Sequence, residues 1–74
     1  NKPRDANIIR AFLLLTPGAP QRPKDRQLAL QYLASLGHGL LPDPDESVYW
    51  FLSRATGLCN KQIRRITQAA KSAN

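Results

Sequence analysis

Residues 52–66 read Leu52-Ser53-Arg54-Ala55-Thr56-Gly57-Leu58-Cys59-Asn60-Lys61-Gln62-Ile63-Arg64-Arg65-Ile66, and their spacing describes two helices crossing at a tight turn. A close crossing needs a small residue on the first helix, and Ser53 fills that place. Gly57, four residues on, supplies the turn, because the left-handed backbone conformation comes at low cost only in glycine. Leu58 follows as a buried aliphatic. The next helix then shows aliphatics three apart, Ile63 and Ile66, with Ala70 continuing the same inner face.

Working outward, prolines and glycines cut the rest of the chain into further helical segments. The helix before Gly57 has a start signal in Asp43-Pro44-Asp45-Glu46: an acid as N-cap, a proline in the first turn and a glutamate three residues after the cap. This is a capping box in its aspartate form, with negative charge at the positive end of the helix dipole. It leads into the apolar run Val48-Tyr49-Trp50-Phe51-Leu52. Five adjacent residues cannot all face inward, so one ring of that run is expected at the surface. The Tyr49 hydroxyl or the Trp50 indole N–H is an alternative phosphate donor. Upstream, residues 23–36 repeat Leu28, Tyr32 and Leu36 every four positions, with Pro23 in the first turn and Gly37 as C-cap. An apolar loop, 37–42, follows, with His38 expected to face solvent. Residues 6–16 form the first helix, with Asp5 as N-cap and Pro17-Gly18 as the stop. Ile8, Phe12 and Leu15 share one face with Ile9 and Leu13 beside them, a stripe wide enough to pack on more than one side. The last helix is expected over 60–72. The expectation is an all-α fold, a compact bundle of about four helices in a single domain over 1–74, with no sheet.

The chain has 74 residues, 42% of them hydrophobic and 22% charged, which is a globular composition. A domain this small buries only about 60% of its unfolded surface, so its stability is modest. No apolar run reaches the ~20 residues that span a membrane, and the expectation is no membrane partner. One cysteine and one histidine make neither an internal disulfide nor a zinc site, and point to no cofactor. The sequence contains no methionine and begins at Asn1, which reads as a domain cut from a longer protein. There is no phosphate loop, metal cluster or triad, and an enzyme is not expected.

Lys and Arg number 11 against 5 Asp and Glu, for a formal net charge of +6. Their distribution matters more than the sum. Over residues 47–74 the charged side chains are Arg54, Lys61, Arg64, Arg65 and Lys71, with no acid among them. A field of one sign confined to the last two helices is the electrostatic footprint of a polyanion binder.

At this point the pattern of 53–66, small-x-x-x-Gly-Leu-small-x-x-x-Ile-x-x-Ile, resembles the helix-turn-helix superfamily of bacterial, phage and plasmid DNA-binding proteins. The resemblance covers about twenty residues. That family usually has alanine where Ser53 stands and commonly serine, as helix cap, where Cys59 stands; Asn60 is the alternative cap, shifting the helix start by one. The resemblance implies that the last helix enters the major groove of duplex DNA. Its outward set is then Asn60, Lys61, Arg64, Arg65 and Gln68. Arg and Lys can donate to guanine O6 and N7, and Asn or Gln can pair with adenine N6 and N7. Arg54 and Lys71 are placed for phosphates. The implied role is sequence-specific binding within a repressor, partition, replication or transposition protein of the cytoplasm and nucleoid.

The same residues admit other readings. Ile63 and Ile66 would be core in any amphipathic helix, Gly57 is an ordinary helix stop, and a basic face can simply be solvated. A helical module docking an acidic protein partner is the competing function; such a surface carries exposed apolar area inside its basic rim, and no apolar residue falls among the outward positions of 60–68. One such motif buries too little surface for tight specific binding by itself. A homodimer, through the first helix or Gly39-Leu40-Leu41, or further domains of the parent protein are expected partners.

Overall fold

A computed structural model describes residues 1–37 and 42–72, the last two as backbone only. His38 and Gly39-Leu40-Leu41, to which a solvent-facing loop and a dimer contact were assigned, lie outside the described residues, as do residues 73 and 74. Four α-helices follow one another: α1 (Lys2–Leu15), α2 (Pro23–Ser35), α3 (Val48–Thr56) and α4 (Asn60–Ser72). The described residues contain no strand, so the all-α bundle expected from the punctuation is the fold observed.

The first helix starts earlier than its sequence suggests. Asn1, not Asp5, is the N-cap, its side chain accepting the Arg4 N–H at 3.1 Å. Pro3 lies in the first turn, where its missing N–H would have had no partner in any case. The helix ends at Thr16, whose hydroxyl donates to the Phe12 carbonyl at 2.7 Å, just before Pro17-Gly18. α2 begins at Pro23 as expected, but its C-cap is Leu36, one residue before Gly37. Gly37 takes the left-handed conformation beyond the cap and bonds back to the Ala34 carbonyl.

The start of α3 is also corrected. Glu46 does reach back to the Asp43 N–H, at 3.2 Å, but the Glu46 N–H bonds to the Asp43 carbonyl at 3.0 Å, so these residues close a turn instead of opening a helix. The cap is Ser47, whose hydroxyl accepts the Trp50 N–H at 3.2 Å. A serine in extended backbone is as good a cap as an aspartate, and it captures the helix four residues later.

The core consists of Ile8, Ala11 and Phe12 of α1, Phe51 and Leu52 of α3 and Ile63 of α4. α1 is the hub, touching each of the other three helices, which is why its apolar stripe is so wide. Among the described residues α2 packs on α1 alone, with Ala29 fully buried. Asp25 fastens the two helices through Arg10, at 3.7 Å, and also faces Arg22, at 3.6 Å. α4 adds Thr67, completely buried, which periodicity limited to aliphatic residues overlooks. Its hydroxyl donates to the Ile63 carbonyl at 2.9 Å, and that bond removes the cost of burying it.

Between α3 and α4 the chain turns on Gly57, with φ 79° and ψ 1°, its N–H bonded to the Ser53 carbonyl at 2.9 Å. Ser53 donates to the Leu58 carbonyl at 2.6 Å, and Thr56 both donates to Leu52 O and accepts the Leu58 N–H. Three side-chain bonds therefore lock the three-residue connection. A Cβ placed on Gly57 would meet nothing within 4 Å, so the cost of Gly57→Ala is backbone strain alone. It is expected to destabilise the fold by about 1–2 kcal/mol, and Gly57→Asn by less, since asparagine tolerates this conformation. Urea titrations of the two variants measure the difference; equal costs would mean that the left-handed turn is not what glycine is needed for.

Candidate functional site

α4 begins at Asn60 with Cys59 before it. Gln62 reaches back to the Cys59 N–H at 3.2 Å, and the Ile63 N–H takes the Cys59 carbonyl. Cys59 therefore holds the position of the cap, and the shift to Asn60 does not occur. The Gln62 amide supplies the reverse half of a capping box, satisfying the Cys59 N–H. The thiol itself is exposed and free.

With Ile63 and Thr67 buried and Leu58 and Ile66 half-buried, the opposite face of α4 is polar. Lys61, Arg64, Arg65 and Gln68 are exposed, and Asn60 is half-buried. The expected outward set is thus brought onto one helix face. Two of its members are engaged with each other: Arg64 Nε donates to Asn60 Oδ1 at 2.8 Å, one helical turn apart. The Arg64 guanidinium also lies over the Tyr49 ring, 4.4 Å from its centroid. Such a contact at an exposed site contributes about 0.5–1 kcal/mol. The Tyr49 ring rests in turn on Phe12, with centroids 5.4 Å apart. The sequence reading has Asn60 facing outward and Tyr49 packing in the core, with a phosphate contact as the alternative; in the folded chain both side chains also contact Arg64.

Arg54 has a partner that its stretch of sequence does not contain. Glu46, one residue outside the acid-free window, receives Arg54 Nη2 at 2.8 Å and Nε at 3.2 Å in a two-pronged ion pair. The hydrogen bonds from Arg54 hold the Glu46 carboxyl below the usual carboxylate range. A group with a lowered folded-state pKa stabilises the fold above its unfolded pKa, and that contribution is lost as the pH falls through the folded value. The pair is therefore intact at neutral pH, and any phosphate contact by Arg54 competes with Glu46. Lys71 continues the backbone of α4, but its side chain lies outside the described residues.

No family model, curated protein or solved structure matches the chain. Its chemistry is read from its own residues. Asp5 pairs with Arg4, Asp25 with Arg10 and Arg22, and Glu46 with Arg54. Among the described residues no carboxylate forms an ion pair with α4. Asp25 is shared by two arginines, and among the described residues no carboxylate offsets the charges of Lys61, Arg64 and Arg65 on α4, nor those of Lys2, Lys24 and Arg26 elsewhere. Among the same residues no three His, Cys, Asp or Glu side chains gather where they could hold a metal ion. No helix is long and apolar enough to cross a membrane.

Glu46→Gln tests the balance at Arg54. The amide keeps a hydrogen bond but not the charge. If α4 binds a polyanion, the variant is expected to bind it more tightly, with a log–log salt slope steeper by about 0.9, one added counterion. Anisotropy titrations at several salt concentrations read this out, and a slope equal to that of the parent would mean that Arg54 stays away from the ligand.

Proposed function

We propose that this chain binds double-stranded DNA, with α3 and α4 acting as a helix-turn-helix and α4 lying in the major groove. The observation that carries the reading is the exposed face of α4, where Lys61, Arg64 and Arg65 have no carboxylate to pair with among the described residues. The left-handed Gly57 turn, the Ser53 contact across it and the inward Ile63 support the motif. Arg64, held by Asn60 and stacked on Tyr49, is the side chain best prepared to read a guanine edge, because little of its freedom remains to be lost. Lys61 beside it and Gln68 one turn on complete the groove-facing set. The role is binding, not catalysis, within a nucleoid-associated regulatory, partition, replication or transposition protein, and a second copy or a further domain supplies the rest of the affinity.

The test is a gel-shift with mixed random duplexes at low salt, with and without heparin. Retarded duplex that persists against heparin supports the proposal; no retardation even at low salt overturns it. One observation favours the competing function: Trp50 is 62% exposed on α3. A module docking an acidic partner would use that ring as apolar contact area, whereas duplex binding would use only its indole N–H. Among the described residues the other large exposed apolar side chain, Leu30, lies on α2, which does not touch α3.

A further inference from the structure

On the side of α4 facing away from Tyr49, Gln62, Arg65 and Ile66 are three and four residues apart and so share one strip of the helix. That strip meets the first turn of α1, and between them lies a cleft of about 140 Å³ lined by Arg4, Asp5, Gln62, Arg65 and Ile66. Two arginines from different helices thus line one small cavity. Arg4 gives Nε and Nη2 to Asp5 Oδ1, each at 3.2 Å, while Arg65 forms no ion pair among the described residues. Two arginines and one aspartate line the cleft, so a net positive charge is left beside a pocket of the right size for a small tetrahedral anion. Like charges placed together this way repel, and an anion between them relieves the repulsion.

We propose that this cleft is a phosphate-binding site, occupied by a backbone phosphodiester when α4 lies in the groove. The source of the phosphate rests on the duplex reading above; the recognition chemistry does not. Phosphate rows border the groove that α4 would enter, and Arg65 at the edge of the reading face, with Arg4 beyond it, extends the basic surface across the α4–α1 junction to one of them. α1 then has a second task besides packing: its N-terminal turn anchors the domain on DNA. Planar bidentate donation suits arginine for it better than lysine.

Two exposed substitutions move the site in opposite directions. Arg4→Ala removes one phosphate donor, and its log–log salt slope is expected to fall by about 0.9 on preferred and random duplexes alike. The ratio of wild-type to variant affinity should therefore shrink about 3.5-fold between 50 and 200 mM salt. Asp5→Asn removes the one carboxylate from the cleft and is expected to tighten duplex binding at every salt concentration. Because its effect has the opposite sign, general loss of folding cannot imitate the pair. A parallel arm titrates inorganic phosphate into the wild-type chain without DNA and follows the side-chain Nε–H resonances of Arg4 and Arg65. If duplex binds but the salt slope of Arg4→Ala equals that of the wild type, the cleft assignment is overturned and the duplex reading survives. If no duplex binds but both resonances shift saturably with phosphate, the cleft stands as a site for free phosphate and the duplex reading fails. If neither ligand produces a response, the phosphate site is overturned.

Discussion

Ile63→Ala is expected to destabilise the fold by about 2–5 kcal/mol. Ile63 is 0% exposed and is the one α4 member of the aliphatic and aromatic core, packed with Ile8, Phe12, Phe51 and Leu52. Truncation loses the transfer energy of three carbons and leaves a cavity where three helices meet, and the rigid rings of Phe12 and Phe51 cannot collapse far to fill it. A chain of this length has roughly 4–11 kcal/mol of stability in total, so the loss is a large fraction of it. The melting temperature should fall by at least about 8 °C, taking about 4 °C per kcal/mol for a domain of this size. Ile66 is only half-buried, at the edge of the same cluster, and Ile66→Ala should cost less. Thermal melts followed by circular dichroism give both numbers. If Ile66→Ala proves the worse of the two, the rotation of α4 about its own axis is wrong, and every outward residue named above is displaced with it.

Arg64→Ala is expected to cost about 1–3 kcal/mol of affinity on the preferred DNA sequence and little on random duplex, because a lost base contact removes discrimination while phosphate contacts remain. The expectation follows from how the guanidinium is held. Asn60 takes one N–H at 2.8 Å, the Tyr49 face supports the plane at 4.4 Å, and the other N–H donors of the fork remain for a guanine edge. Tyr49→Leu keeps an apolar body against Phe12 but removes the ring face, and should lose part of the same discrimination with a smaller effect on folding. Arg54→Ala, in contrast, removes a residue already engaged by Glu46, and should change duplex affinity less than an unpaired phosphate anchor would. Anisotropy titrations of the three variants against preferred and random duplexes separate these roles. If Arg64→Ala lowers affinity for all duplexes equally, Arg64 is a phosphate contact, and the domain binds DNA without reading it through this residue.

How far each element could be read ahead depended on how local its cause was. Gly57, Pro23 and Pro17-Gly18 ended or opened helices as their backbone constraints require, and α4 runs over the residues its periodicity picked out. The misplaced starts of α1 and α3 have one cause. Several residues in each stretch can cap, and the side chains that accept a first-turn N–H are those of Asn1 and Ser47. Asn1 adds a turn to α1, and Ser47 lets the Asp43 turn fold back so that Glu46 meets Arg54. Thr67 went unread because a hydroxyl counts as polar in a hydrophobic pattern, although it can satisfy itself on the carbonyl four residues back.

The sequence by itself determined four helices, the left-handed turn between the last two and the basic outer face of α4, because backbone propensity, helical period and net charge are properties of a chain read in order. It could not determine which charges remain available. An acid-free window of 28 residues still receives Glu46, since an ion pair depends on distance in space and not on position in a window. Folding decided that Arg54 is paired, that Arg64 rests on Tyr49 and that Arg4, near the first residue, stands across a cleft from Arg65. The first closes over eight positions through the turn before α3, the second needs α4 against α3, and the third needs α1 against α4, a contact between residues some sixty positions apart. No local pattern encodes such a contact, because burial of the shared core, not the charges themselves, brings those side chains together.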